Sequence, residues 1–444
     1  MKTSLLYICT LLSALPANGS AQEAKAWTLR QCVDYAIEHN ITVKQMDNTR
    51  RQQEVQLSTD RNSRLPEISA SASQNFSFGR GLTSQNTYEN RNTSSTSLQL
   101  GASVPLFTGM KIPYAIRLSR LNLEASLADL EKARNDIGMQ VAQAYVEILY
   151  DIEISEVAHR QIAIDSMQVE RLVVMMDNGK ASAAQVSQQK ATLAQSRLTA
   201  TTADNNYRLA VLTLTQLLEL PSPDGFRIVR PNADDIHPAG SIPATPDAVY
   251  NEALTIKPEV KAQQMRVQGA DYSIKIARSA LYPQLSFSAG MGSNYYKTGG
   301  FEADPFFTQM KNNFSQYLGF SLTVPIFSRF ATRNSIRTAE IDRDNQRLKL
   351  EDVKKTLYKE IQQVYYNAVA ADAKYASSRE AVASNEDAFT LTRAKYENGK
   401  ANITEFNETK NNYLKALSDM VQAKYEYLYQ TTLLDFYRGR GLDF

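Results

Sequence analysis

Histidine and cysteine are almost absent from this chain of 444 residues: three histidines, His39, His159 and His237, lie far apart, and two cysteines stand at positions 9 and 32. No Cys/His cluster with metal-ligand spacing can be drawn from them, so no metal site is expected. Gly179-Lys180-Ala181 lacks the upstream glycine and the following Ser/Thr of a phosphate loop, and no serine sits in a nucleophile-elbow context. These absences predict no catalytic residue and no bound cofactor; the chain is not expected to be an enzyme. Charge of one sign is missing too. With 49 basic and 47 acidic residues the formal net charge is +2, and the pairs Arg50-Arg51 and Lys354-Lys355 are too brief for a nucleic-acid surface, so no nucleic-acid partner is expected. Beyond the amino terminus no apolar run approaches the roughly 18 residues of a membrane helix; any crossing of a membrane must be made with strands.

At the amino terminus Lys2 precedes an apolar run from Leu5 to Leu15, then Pro16, Ala17, Gly19, Ser20 and Ala21. This is the pattern of a secretory signal peptide over residues 1–21, with the mature start near Gln22. Lipidation at Cys9 would leave almost no signal ahead of it. Once the signal is removed Cys32 remains alone, so the mature chain can form no internal disulfide.

The rest of the sequence is written twice. At an offset of about 220 residues, drifting by about three, four features fall into register in the same order. WTLRQCVDYAIEHN, with Thr28-Leu29 and Ala36, faces ATPDAVYNEALTIKPEV, with Thr245-Pro246 and Ala253. Pro66 faces Pro283, Val104-Pro105-Leu106-Phe107 faces Val324-Pro325-Ile326-Phe327, and Asn178-Gly179-Lys180-Ala181 faces Asn398-Gly399-Lys400-Ala401. The first repeat is expected over 22–220, with a helix at 28–63, strands at 65–79 and 94–107, a long helix at 110–177 and a return helix at 182–220. A connector rich in proline, glycine and aspartate spans 221–246, in which Phe226 to Val229 has the character of a short strand. The second repeat is expected over 247–437, with a helix at 247–280, strands at 282–296 and 314–327, a long helix at 329–397 and a return helix at 402–437. A tail at 438–444 follows.

The strands carry a period of two. Ile68, Ala70, Ala72, Phe76 and Phe78 alternate with Ser69, Ser71, Ser73, Asn75 and Ser77, and Leu98, Leu100, Ala102, Val104 and Leu106 alternate with Gln99, Gly101 and Ser103. Leu285, Phe287, Ala289 and Met291, then Leu318, Phe320, Leu322, Val324 and Ile326, repeat the pattern. Polar loops, Gly79 to Thr93 and Asn294 to Asn313, join each pair, with aromatics such as Tyr88, Tyr295, Tyr296, Phe306 and Phe307 nearby. Apolar on one side and hydrophilic on the other, such strands fit a lipid-facing barrel with a wet lumen, while a soluble sandwich with one buried face is the alternative. Four strands cannot close a water-filled barrel, and an open edge in lipid leaves backbone groups unsatisfied, so several copies must pool their strands.

The helices carry a heptad seam: Leu123, Leu127, Leu130, Ile137, Val141, Ala144 and Ile148, then Leu350, Leu357, Ile361, Val364 and Ala368. From Lys111 to the Asn-Gly turn a helix of about 65 residues would run roughly 100 Å. Asp177-Asn178-Gly179 and Glu397-Asn398-Gly399 then supply left-handed turns, so each repeat ends in a long antiparallel hairpin.

Signal peptide, duplicated unit, paired amphipathic strands between long helices and glycine tips together resemble the TolC family of outer-membrane efflux proteins. Trp27 to Asn40 is similar to that family's opening helix, and Tyr396-Glu397-Asn398-Gly399 followed by Ile403, Glu405 and Glu408 is similar to its second tip. The likeness covers essentially all of the mature chain. It implies an α+β membrane protein of the Gram-negative outer membrane, a homotrimer whose chains each give four strands to one barrel of twelve. The helical hairpins of such a protein form a tunnel projecting into the periplasm. It implies work with a periplasmic adaptor and an inner-membrane transporter of RND or ABC type. The expected function is the exit duct of a tripartite efflux pump for small toxic compounds; type I protein secretion is the alternative. A periplasmic coiled-coil scaffold or adaptor, from a different class, would share the signal and the heptads but would need neither four membrane-length strands nor a duplication.

The resemblance also places candidate residues. Glu405 and Glu408, on one helix face, fall where the family closes its tunnel with acidic side chains; three chains would bring six carboxylates to one constriction, where field focusing favours cations. The equivalents Gln185 and Gln188 are neutral, and two ordinary solvated glutamates near a helix start are the alternative. Gly179 and Gly399 are candidate adaptor-contacting tips, although a turn demands glycine regardless. Tyr396, Lys180 and Lys400 flank them as candidates for docking or gating, but Ala401 stands where the family favours a basic residue. Pro105 and Pro325 are expected where strand passes to helix.

Overall fold

The computed structural model describes residues 26–82, 86–231 and 245–442. The expected signal peptide and residues 232–244 of the connector lie outside them. Among the described residues no helix is long and apolar enough to cross a membrane.

Helix α1 (Leu29–His39) starts at a reciprocal cap: Gln31 N–H donates to Thr28 Oγ1 (3.3 Å) and Thr28 N–H to Gln31 Oε1 (3.1 Å). Asn40 is extended and opens α2 (Ile41–Asn62) by accepting from Thr42 N–H (2.9 Å), while its amide donates to Leu217 O (3.1 Å). The single helix expected at 28–63 is therefore two. Its counterpart at 247–280 is also two, α5 (Pro246–Ile256) and α6 (Pro258–Ser279), because Pro258 drives Lys257 out of the helical region while itself suiting a first turn. The two pairs match in length, 11 and 22 residues each.

Strands β1 (Glu67–Leu82), β2 (Tyr88–Thr108), β3 (Gln284–Thr298) and β4 (Ser315–Thr323) form one antiparallel sheet in the order β1-β2-β3-β4, so the two repeats share a sheet. Its register sets apolar rows side by side, with Ala70 opposite Leu100, Leu100 opposite Met291 and Phe287 opposite Phe320. Those two phenylalanine rings lie 5.0 Å apart. Polar residues hold the other face. Strand bounds differ from expectation. β2 begins at Tyr88 rather than 94, because Ser, Thr and Asn make a strand there that hydrophobic alternation does not mark. β4 ends at Thr323 rather than 327, and the loop before it carries a short helix, α7 (Phe306–Asn312), that no period announced.

From the sheet the chain turns into α3 (Lys111–Asp177) and α8 (Ala331–Glu397), each 67 residues, or roughly 100 Å at about 1.5 Å per residue. The turn is made by two successive left-handed residues in each repeat, Gly109 and Met110 (φ 62° and 68°) and Arg329 and Phe330 (φ 51° and 63°). A Cβ on Gly109 would stand 2.4 Å from Ser279 O, so the first turn admits only glycine; the second carries Arg329 in a backbone region that L residues disfavour. The prolines each stand four residues ahead of these turns. Pro105 lies inside β2, beside a bulge between Pro105 and Phe107, and Pro325 follows the end of β4.

Helices α4 (Ala183–Leu217) and α9 (Ile403–Tyr437) return along α3 and α8. The main core gathers Leu130, Ile137, Val141, Ala144 and Ile148 of the seam against Cys32, Ala36 and Leu214, while Leu127 stays exposed at 44%. Tyr145 locks this core to the chain entry, its hydroxyl lying 2.6 Å from Val229 O and 3.1 Å from Trp27 O. The short strand expected at Phe226 to Val229 is a single parallel bridge, Trp27 to Ile228. The hairpins are unequally covered. Twenty residues of α3 are buried and only seven of α8, so a long face of α8 has no cover within one chain.

Candidate functional site at the helical tips

The two hairpin tips are built alike. Gly179 (φ 71°) and Gly399 (φ 73°) take the left-handed conformation that lets the following amide reach back. Lys180 N–H donates to Met175 O (2.7 Å) and Lys400 N–H to Lys395 O (2.8 Å), closing the carbonyls that a helix end leaves open. Asn178 and Asn398 add side-chain bonds to Val174 O (2.7 Å) and Ala394 O (2.8 Å). An added Cβ at either glycine would meet nothing within 4 Å, so the sign of φ and not space demands glycine there. Lys180 and Lys400 are both exposed.

Beyond the tips the repeats part. Ser182 and Gln185 cap α4 reciprocally, with Gln185 N–H on Ser182 Oγ (3.2 Å) and Ser182 N–H on Gln185 Oε1 (2.9 Å), so the Gln185 amide is committed to the cap. In α9 the cap is one-sided: Asn402 accepts from Glu405 N–H (2.9 Å). Phe406, 4% exposed, turns inward against Tyr396 (ring centroids 5.0 Å) and Phe389 (5.6 Å), and this anchor fixes the rotation of α9. Glu405 and Glu408 consequently share the exposed side, three residues apart.

Tyr396 ties one tip to the other. Gln168 of α3 donates to its hydroxyl, the Arg171 guanidinium stands over its ring at 4.9 Å, and Arg171 also donates to Glu397 O (3.2 Å). Burial pushes the Tyr396 hydroxyl up from its ordinary range, against the opposing pull of Arg171 and the Gln168 bond, so it stays protonated at neutral pH.

Further in, sequence reasoning missed a second link between the hairpins. Lys410 of α9 forms an ion pair with Asp165 of α3, and both side chains are wholly buried. Ser196 Oγ donates to Asp165 Oδ2 (2.6 Å) and Gln189 Nε2 to Oδ1 (3.3 Å), while Asn407 Nδ2 donates to Gln189 Oε1 (3.2 Å). Three helices thus meet in two adjoining polar contacts, Tyr396–Gln168 and Lys410–Asp165, and α4 joins them through Ser196 and Gln189. A signal existed: Asp165 follows Ala158 and precedes Leu172 by one heptad each, and Lys410 stands four residues from both Phe406 and Leu414, so each charge interrupts an apolar row. The structure therefore groups Tyr396, Glu405 and Glu408 around one tip with Gly399 and Lys400, whereas Pro105 and Pro325 belong to the distant sheet end. Among the described residues no group of acidic, His and Cys side chains could hold a metal ion.

Comparison with known proteins agrees with this architecture. A model of the outer membrane efflux protein family matches residues 33–219 and 249–440, one block per repeat. The chain is similar to the outer membrane efflux protein BepC of Brucella suis, 22% identical over 425 residues covering 95% of this chain and 87% of BepC. It is also similar to the pyoverdine export outer membrane protein OpmQ of Pseudomonas aeruginosa, 24% identical over 76% of this chain and 68% of OpmQ. Among solved structures, the outer membrane protein VceC of Vibrio cholerae superposes with a TM-score of 0.75 at 18% identity, over 94% of this chain and 97% of that one. The open state of the MtrE channel of Neisseria gonorrhoeae gives 0.76 at 18% identity, over 94% and 89%.

Proposed function

This chain belongs to the outer membrane efflux protein family, and on that premise we propose that three copies assemble into the exit duct of a tripartite pump that expels small toxic compounds. It is an outer-membrane channel protein and not an enzyme. In the proposed assembly the sheets of three copies close a barrel in the outer membrane, and the hairpins extend it as a tunnel into the periplasm. A periplasmic adaptor would meet the tips at Gly179, Lys180, Gly399 and Lys400, and an inner-membrane transporter of RND or ABC type would supply the energy. The single observation that carries the reading is the sheet. Its outward rows, with Ile68 70% and Phe320 72% exposed, put apolar side chains where water would surround them in a lone soluble chain.

Glu405 and Glu408 are proposed as the charged ring at the tunnel entrance. Their support is rotational: Phe406 and Lys410 take the buried side of α9 and leave the two carboxylates together on the open side. The test is single-channel recording of the purified, detergent-extracted protein in a planar bilayer. Wild type is expected to give small, cation-preferring steps blocked by divalent ions, and the Glu405→Gln/Glu408→Gln variant larger steps with a permeability ratio near one. A variant indistinguishable from wild type would remove the ring, and a protein that never inserts would remove the duct.

A further inference from the structure

The two free edges of the sheet are unequal: β1 offers sixteen residues and β4 nine. If copies close a barrel edge to edge, the reading on which this inference rests, β4 leaves seven residues of the neighbouring β1 without a strand beside them. Bare backbone groups are not tolerated in lipid. Where β4 is missing the chain places α7. The Gln309 side chain accepts from Tyr296 N–H (3.0 Å) and donates to Tyr296 O (3.1 Å), as the peptide unit of a strand partner would. Asn313 Nδ2 donates to Asn294 O (2.7 Å) on the same edge. Ser293 Oγ donates to Met310 O (2.6 Å), and the Phe306 ring lies 5.2 Å from that of Tyr295. Ser293 and Tyr295 alternate onto the same face as Phe287 and Met291, so α7 covers the edge from the apolar side of the sheet.

Next along α7, Phe307 is 83% exposed. At the opposite edge, Phe76 and Phe78 are 65% and 76% exposed on that same face, and the residues paired with them, Ser94 and Asn92, give them no apolar neighbour. We propose that α7 stands in for the missing half of β4, and that Phe307 of one copy packs against Phe76 and Phe78 of the next to seal the outer half of the seam. The occupant of this aromatic surface is a second copy of the chain.

Cysteine crosslinking tests it in the full chain within outer membranes. Cys32 gives a silent background, since it is fully buried and burial pushes its thiol up to about 12. Treatment of Phe78→Cys/Phe307→Cys with a short bismaleimide is expected to give covalent dimers and trimers, and each single variant only monomers. Ile68→Cys/Leu322→Cys, on the apolar face where β1 would meet β4, reports the seam itself. Links at the lower pair without links at the upper overturn the seal and leave the assembly standing; links at neither overturn both. Quenching of a Phe307→Trp variant by brominated lipid in an assembled particle would make lipid the occupant and overturn the proposal as well.

Discussion

At Asp165 and Lys410 two opposite charges sit where water does not reach, held by Ser196 and Gln189. Removing one partner strands the other in a medium that penalises an unpaired ion, so Lys410→Met is expected to cost about 3–5 kcal/mol, whereas Asp165→Leu/Lys410→Met together recovers most of that loss. Guanidinium unfolding followed by helical circular dichroism reads both; single variants as stable as wild type would mean that water already reaches the pair. The tip glycines act through the backbone alone. Gly399→Ala forces a side chain to a φ of 73° at an otherwise open position, a strain of about 1 kcal/mol, and Gly399→Asn relieves part of it. Limited proteolysis around the turn should therefore be about five-fold faster in the alanine variant than in wild type, with asparagine between. Equal rates in all three would show that the left-handed turn is not what holds the tip.

At the scale of elements, the junction between α5 and α6 makes a pH prediction. Lys257 is 6% exposed, lies 3.6 Å from the Phe436 ring and donates to Phe436 O (3.3 Å). Burial pulls its pKa down to about 8, against the upward pull of Glu259, Asp136 and Glu360. A base whose folded pKa lies below its ordinary value of 10.5 destabilises the fold while it is protonated. Between pH 8 and 10 the unfolded chain holds a proton that the folded chain has lost, so this group makes stability rise with pH. Lys257→Met should stabilise the protein at pH 7 and flatten that rise, as thermal melts across the window would register. The same junction shows how legibility varied. The duplication was plain because turns, caps and prolines recur, and the structure repeats α3, the tip and α4 at a constant spacing. Asn40 and Lys257 were harder: each break is made by one extended residue between two helices, although Pro258 carried the signal in the second copy. The Asp165–Lys410 pair joins residues 245 positions apart, and its two apolar rows each look like an isolated lapse until they are packed together. Nor could alternation find α7, because the element that Gln309 completes is made by a side chain.

For the whole molecule, the surfaces left uncovered in one chain fix what the assembly must do. The sheet exposes apolar residues on one face and unpaired backbone at β1 and β4, while α8 exposes Ile341, Leu348, Tyr366 and Leu391 along a helix of 67 residues. Lipid can satisfy the face but not the edges, and neither lipid nor a single copy covers α8. Self-association satisfies all three at once. Membranes washed with alkali or urea are therefore expected to retain the protein, since its hold is apolar and not ionic. Unheated in mild detergent it should migrate as a species well above a single mature chain, which is lighter than the 49.7 kDa of the full sequence, collapsing to the single-chain size only on boiling, when the strand seams part. Release by the wash, as a single chain, would place the protein outside the lipid and make it a coiled-coil scaffold; retention as a single chain would keep it in the membrane but require some other cover for the edges of β1 and β4.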